Sequence, residues 1–255
     1  MKTYFLWLLS LLSLLLTSSC KKDSRGNPNS CRIIAVYDTT NSSNGTNSTF
    51  DNQFSYDKDG RISSIKFTAP TGSETQNFTY SGNLMVAVRT RSQYSADSIF
   101  FNSQGLPDKA VFVELNSIAQ VSTYSYNSDG QIRTSTDINP YPQPLGANPY
   151  GMTTTYTYVY SNGDLLTKTD NSGNVYTYSY FTDKAAADGD VLRLSDLMNL
   201  GLVFVRNAHV VKSQQANSTL EKFSYSFDSS GKIITATATS DDYIKKFTIE
   251  YDCSH

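Results

Sequence analysis

One unit recurs along this chain and limits what it can fold into: an aromatic-alternating segment, an Asn/Asp/Ser-rich turn closing on glycine, then a second β-prone segment. The copies are FSYDKDGRISSI at 54–65, FTYSGNLMVAV at 78–88, IFFNSQGLPDKAVF at 99–112, YSYNSDGQI at 124–132, YTYVYSNGDLL at 156–166 and FSYSFDSSGKII at 223–234. The first four turn glycines, Gly60, Gly82, Gly105 and Gly130, lie 22, 23 and 25 residues apart. That spacing is two strands and two connections, so the repeating structural unit is a hairpin.

Turn chemistry accounts for the motif. Asp57, Asn102, Asn127 and Asp228 can each open a type I turn by accepting from backbone N–H groups ahead of them. The glycine three residues on then takes the left-handed conformation that a G1 bulge requires. Flanking aromatics at spacing two, Phe54/Tyr56, Tyr124/Tyr126, Tyr156/Tyr158/Tyr160 and Phe223/Tyr225/Phe227, share one face of their strands. Ser and Thr fill many alternate positions, as in antiparallel sheets with one packed and one wet face.

Two stretches interrupt the rhythm. INPYPQPLGANPYGM carries Pro140, Pro142, Pro144 and Pro149, which cannot donate to a ladder, and reads as a surface loop. DGDVLRLSDLMNLGL places Val191, Leu194, Leu197 and Met198 at helical spacing, with Asp190 suited to cap the start and Gly201 the end. The expected fold is all-β: an antiparallel meander of roughly ten to twelve strands, curled into an open or closed barrel-like sheet, with one short helix near 190–200.

The N-terminus carries its own instruction. Lys2, the apolar run from Tyr4 to Leu16 and the small residues Thr17, Ser18 and Ser19 read as a cleaved export signal over residues 1–19. The run falls short of the roughly 20 apolar residues a spanning helix needs. Leu16-Thr17-Ser18-Ser19-Cys20 resembles a bacterial lipobox in relaxed form, which implies lipidation of Cys20 and anchoring to a membrane. Family boxes place Leu three residues before the cysteine, where this chain has Thr17. Residues 20–30 then read as a lipidated flexible tether and 31–255 as a single β domain. Fully stretched, ten tether residues reach about 33 Å.

In an exported protein, Cys31 and Cys253 suggest a disulfide joining the first and last strands, with two reduced thiols as the alternative. A formal charge of −2 over the whole chain argues against nucleic acid and against a polybasic membrane patch.

The hairpins resemble degenerate YD repeats of large bacterial surface and toxin-shell proteins. The combination of Cys20, Cys31, the YDKDG, YNSDG and FDSSG turns, LRLSDLMNLGL and Tyr251-Asp252-Cys253 is similar to Bacteroidota lipoproteins of unknown function. That resemblance implies fold and a location at the outer membrane or cell surface, and carries no activity with it.

Chemistry is sparse, and the expectation is no catalytic residue, no metal and no cofactor. The two histidines are His209 and His255, and no GxSxG elbow accompanies either. The cysteines lack zinc spacing. DKDG at 57–60 and DGD at 188–190 lack the full ligand series of a calcium loop. Glu74, Glu114, Glu221 and Glu250 with turn aspartates leave a carboxylate glycosidase as a third, remote reading. The leading expectation is a non-catalytic envelope lipoprotein that binds a glycan or a partner protein through the sheet face or loops, with Tyr141 and Tyr150 of the proline loop as candidate contacts. The alternative is a lipid or hydrophobe carrier with a cavity under the curled sheet.

Overall fold

The computed structural model describes residues 31–90, 96–114, 117–140 and 151–253. The leader, Cys20, the tether, Tyr141 and Tyr150 lie outside them. Sixteen strands follow in chain order: β1 (Arg32–Ser42), β2 (Asn47–Tyr56), β3 (Ile62–Ala69), β4 (Gly72–Ser81), β5 (Leu84–Arg89), β6 (Ala96–Phe101), β7 (Pro107–Glu114), β8 (Ser117–Tyr126), β9 (Ile132–Asn139), β10 (Met152–Ser161), β11 (Asp164–Asp170), β12 (Val175–Ala185), β13 (His209–Ala216), β14 (Thr219–Phe227), β15 (Ile233–Thr239) and β16 (Tyr243–Asp252). Helix α1 (Val191–Leu200) stands between β12 and β13.

Each strand pairs antiparallel with its sequence neighbours, and β1 pairs with β16 from Arg32↔Asp252 to Ser42↔Tyr243, so the meander closes into a barrel. The expected fold class is therefore the observed one, in its closed form. The count is sixteen rather than ten to twelve. Six motif hairpins account for twelve strands; the others are the closing pair β1 and β16, and β12 and β13, which are separated by the helix and so share no short turn to announce them.

A meander alternates ends, and a motif recurring every two strands returns to the same end each time. The turns carrying Gly60, Gly82, Gly105, Gly130, Gly163 and Gly231 thus form a ring around one mouth, with Cys31 and Cys253 beside them. This is the motif end; the connection through α1 belongs to it as well.

The wall alternates in polarity. On β12 the tyrosines Tyr176, Tyr178 and Tyr180 are half-buried, while Val175, Thr177 and Ser179 are exposed. On β14 Phe223 is buried and Lys222, Ser224 and Ser226 are exposed; on β16 Phe247 and Ile249 are buried and Lys246, Thr248 and Glu250 are exposed. The aromatic set points inward and a Ser/Thr/Lys set points outward. One outward patch is apolar, where Val111 pairs with Val121, Val113 with Ile118 and Val121 with Ile138 across β7–β9. Further exposed apolar side chains occur on other strands, among them Ile34, Val88, Val159, Val175, Leu220, Ile234 and Ile244.

Helix α1 supplies what the inner face needs at the motif end. Leu194 is fully buried in a core with Ile33, Phe54, Ile65, Phe78, Met85 and residues from β6 to β16. Asp190 caps the helix by accepting from Leu192 N, and Gly201 ends it in the left-handed conformation, φ 66°, with its N–H donating to Leu197 O. A β-carbon at Gly201 would come within 3.0 Å of the Phe78 ring, so glycine also lets the chain leaving the helix pass close to the wall.

Candidate functional site

The motif end is built from repeated local geometry. Asp57 Oδ1 accepts from the N–H groups of Asp59 and Arg61, both at 2.9 Å, and Asn102, Asn127 and Asp228 do the same two and four residues ahead. Gly60, Gly105, Gly130 and Gly231 each have φ between 72° and 85°. These are the type I turns with a left-handed glycine that the spacing predicts. Backbone and side-chain donors hold the Asp228 carboxyl down at about 2.

The aromatic residue before the turn has a second use. Tyr56 OH donates to Ile33 O at 2.6 Å, Tyr80 OH to Ile62 O at 2.9 Å and Tyr126 OH to Pro107 O at 2.5 Å. Tyr180 OH reaches Leu165 O and Tyr251 OH reaches Ile233 O, both at 2.9 Å. In every case a tyrosine near the end of an even strand latches onto a carbonyl at the start of the preceding odd strand. A strand-end carbonyl beyond the ladder would otherwise lack a partner, and the phenol supplies one. Recurrence of Tyr directly before Asp or Asn in the motif was the available signal.

The segment after α1 is sewn to this ring. Asp196 Oδ2 accepts from Phe204 N at 2.8 Å and Val205 N at 3.2 Å; burial pushes its carboxyl up to about 6. Gln131 Nε2 donates to Gly163 O and to Arg206 O, and Asp164 Oδ1 accepts from Ala208 N and His209 N. Tyr124 and Phe204 rings pack with centroids 5.3 Å apart. The mouth is plugged by the helix and the segment following it.

Between the plug and the turns of β2–β3, β4–β5 and β6–β7 lies a cavity of about 660 Å³, within the 300–1,000 Å³ typical of small-molecule sites. Its floor is aliphatic: Ile33 and Ile62 from the wall, Leu194, Leu197, Leu202 and Val203 from the plug. Arg32, Arg61, Arg193 and Arg206 also line it, against the carboxylates Asp59 and Asp188. The guanidinium of Arg32 lies 5.3 Å from the Tyr56 ring centroid and that of Arg61 lies 4.3 Å from the Tyr80 centroid. Arg61 also pairs with Asp57 at 2.7 Å and Asp59 at 3.0 Å, and Arg193 pairs with Asp188 at 3.3 Å. Gly189 closes one side with φ 95°; a β-carbon there would meet Ile249 and Tyr251 at 2.9 Å.

Among residues singled out from the sequence, Cys31 and Cys253 are joined, their Cα atoms 4.1 Å apart, and tie the ends of β1 and β16 beside the cavity. His209 Nδ1 meets Asp164 Oδ2 at 2.7 Å, within the contacts that fix the plug. The four glutamates do not converge: Glu221 accepts from Tyr243, Glu250 faces Tyr37 on the outer wall, and Glu74 and Glu114 are on β4 and β7. Among the described residues no cluster of three or more metal-ligating side chains occurs. No described helix is long and apolar enough to cross a membrane. The period-two aromatics of the motif face inward and serve the core and the latches.

No protein-family model matches this chain, and no curated protein matches it in sequence. Solved structures do match its fold. A porin-like protein from Bacteroides uniformis superposes with a TM-score of 0.65 at 13% identity, covering 86% of this chain and 98% of that one. A porin-like protein from Bacteroides vulgatus does so with a TM-score of 0.54 at 12% identity, covering 84% of this chain and 97% of that one. What this chain shares with both is the barrel fold.

Proposed function

We propose that this is a non-catalytic envelope protein, held to the outer membrane or cell surface by lipid on Cys20, whose barrel stands in water and holds a small ligand in the cavity at its motif end. The observation that carries this reading is the polarity of the wall. A barrel that spans a bilayer surrounds itself with an apolar band about 25 Å tall and keeps its interior polar. Here the interior holds Phe54, Ile65, Phe78 and Phe247, and the exterior of β2, β12, β14 and β16 holds Gln53, Ser55, Thr177, Ser179, Ser224, Ser226, Thr248 and Glu250. Lipid around such a wall would take these polar groups out of water. Attachment then falls to the N-terminus.

The cavity favours holding a ligand over docking one on the sheet face, because the inner aromatics leave the outer wall without a tyrosine strip. Catalysis finds little support: Asp59 and Asp188 on the lining each engage an arginine and are not free to face a glycosidic oxygen. A partner protein on the outer wall is the second reading, favoured by the apolar Val111/Val121/Ile138 patch. The test is fractionation of cells producing the native chain and a Cys20→Ala variant. The native chain should pellet with membranes and the variant should appear in the soluble fraction without detergent. A variant whose residues 1–19 have been removed and that still pellets and needs detergent for release would refute a water-facing barrel.

A further inference from the structure

We infer that the motif-end cavity takes an amphiphile with an anionic head and a single aliphatic chain, rather than a sugar; this deepens the ligand-holding reading above and rests on it. The lining argues for the class from both of its halves. Sugar sites stack a pyranose on an exposed aromatic face and read hydroxyls with free polar groups. In this cavity those means are already used. The phenols of Tyr56 and Tyr80 are donated to Ile33 O and Ile62 O, and the Tyr251 phenol to Asp188 O and Ile233 O. The ring faces of Tyr56 and Tyr80 carry the guanidinium groups of Arg32 and Arg61.

What stays open to a ligand is an aliphatic floor and an arginine rim. Leu197, Leu202 and Val203, half-buried and backed by Ile33, Ile62 and the fully buried Leu194, present branched carbons, which reward burial of methylenes and offer nothing to hydroxyls. Four arginines against two lining carboxylates leave the rim net positive, and a planar guanidinium suits carboxylate and phosphate oxygens. Arg32 is the best placed of the four. It stands at the first strand residue after Cys31, stacked on Tyr56, whereas Arg61 and Arg193 already have carboxylate partners. An acyl anion entering tail first would lay its chain on the Leu197/Leu202 side of the plug and leave its head among the arginines. Fatty-acid-type anions and single-chain phospholipids share this chemistry.

The test uses the full chain with Cys20→Ala, so that its own acyl groups are absent, and three probes in equilibrium dialysis: dodecanoate, dodecanol and inorganic phosphate. Dodecanoate is expected to bind once per chain, at least tenfold more tightly than dodecanol, with phosphate failing to displace it. Arg32→Gln should weaken dodecanoate at least tenfold while Arg32→Lys retains most of the binding. Leu202→Gln should weaken it with the thermal transition unchanged. Equal binding of dodecanol, displacement by phosphate at comparable concentration, or unaltered binding in Arg32→Gln would each overturn the inference. If the Cys20→Ala chain is released from membranes yet binds no dodecanoate, the inference falls while the tethered-barrel reading stands.

Discussion

The two mouths of this barrel are made differently. At the motif end, four Asx turns with left-handed glycines and five tyrosine latches repeat almost without variation, and a helix with its following segment fills the opening. At the opposite end the described turns are more varied: a tight turn joins β3 to β4 at Ala69↔Gly72, Asn217 takes φ 53° between β13 and β14, Ser42–Gly45 keeps the backbone turn with a left-handed glycine but no Asx side chain at its start, and Asp170–Gly173 repeats the full Asx pattern. Inward groups near that mouth are also more polar, with Asp38 beside Lys245 at 3.8 Å and Lys168 set among the rings of Tyr156, Tyr158 and Tyr176. The difference teaches what the internal repetition is for. A plug must meet a rim on all sides, and the four Asx turns, with two-residue turns at Ser81↔Leu84 and Ser161↔Asp164, supply it; among the described residues nothing fills the other mouth, and its turns are free to diverge.

The largest effect that could break this contrast lies at the seam. Replacing Cys31 and Cys253 with serine removes a link across 222 residues of chain, for which loop entropy gives an upper figure of about 5 kcal/mol. Unfolding free energies of the two forms, read from denaturant titrations, should differ by several kcal/mol; equal values would mean that β1–β16 pairing closes the barrel unaided.

Glycine substitutions compare the two mouths directly. Gly163 at the motif end has φ 85°, and a β-carbon there would come within 2.8 Å of Ala208 on the plug segment. Gly173 at the open end has φ 87° with nothing within 4 Å. Gly163→Ala should therefore cost roughly 3 kcal/mol, conformational strain plus displacement of the plug, and Gly173→Ala about 1 kcal/mol from strain alone. Equal losses by thermal unfolding would show that the plug gives way freely.

The plug also carries a proton dependence. Asp196 in the folded state titrates at about 6 because burial disfavours its charge, against about 3.9 when unfolded. The folded state therefore binds the proton more tightly, and its stability is greatest below pH 4 as far as this group is concerned. It declines as pH rises from 4 to 6, by on the order of 3 kcal/mol. Burial raises Asp190 and Asp38 in the same direction. Asp196→Asn should flatten that part of the pH–stability curve, as read by urea titrations between pH 4 and 7.

The smallest effect concerns a single latch. Tyr126→Phe leaves Pro107 O without its donor and should cost about 1 kcal/mol. A value near zero would assign the tyrosine to ring packing alone.

Much of this fold is legible in the sequence, for identifiable reasons. Period-two aromatics reveal strands because side chains alternate faces, Asx-x-x-Gly reveals turns because few residues take positive φ, and Asp190 with Gly201 brackets α1 correctly at both ends. Strand number was harder to read: β12 and β13 meet across the helix with no turn between them, and β1 and β16 meet only through closure. A curled sheet with a helix allows for a cavity, but not for its lining. Its lining comes from β1, three separate turns and the plug, and nothing local marks Arg32 and Leu197 as neighbours of one space. The latches left no local mark for the same reason, since a tyrosine at spacing two looks alike whatever carbonyl 18 or 23 residues away its phenol reaches.

The central claim is that the outer wall faces water while lipid holds the chain from its N-terminus. Thr157 on β10 and Ser224 on β14 are both exposed and lie on the outward rows. The most direct measurement places a polarity-sensitive fluorophore on Thr157→Cys and Ser224→Cys variants of the lipidated chain bound to vesicles. Emission at the water-exposed wavelength from both positions, unaltered by quenchers buried in the acyl region, is the predicted result. Blue-shifted emission quenched from within the bilayer would contradict the account and place the wall in the membrane.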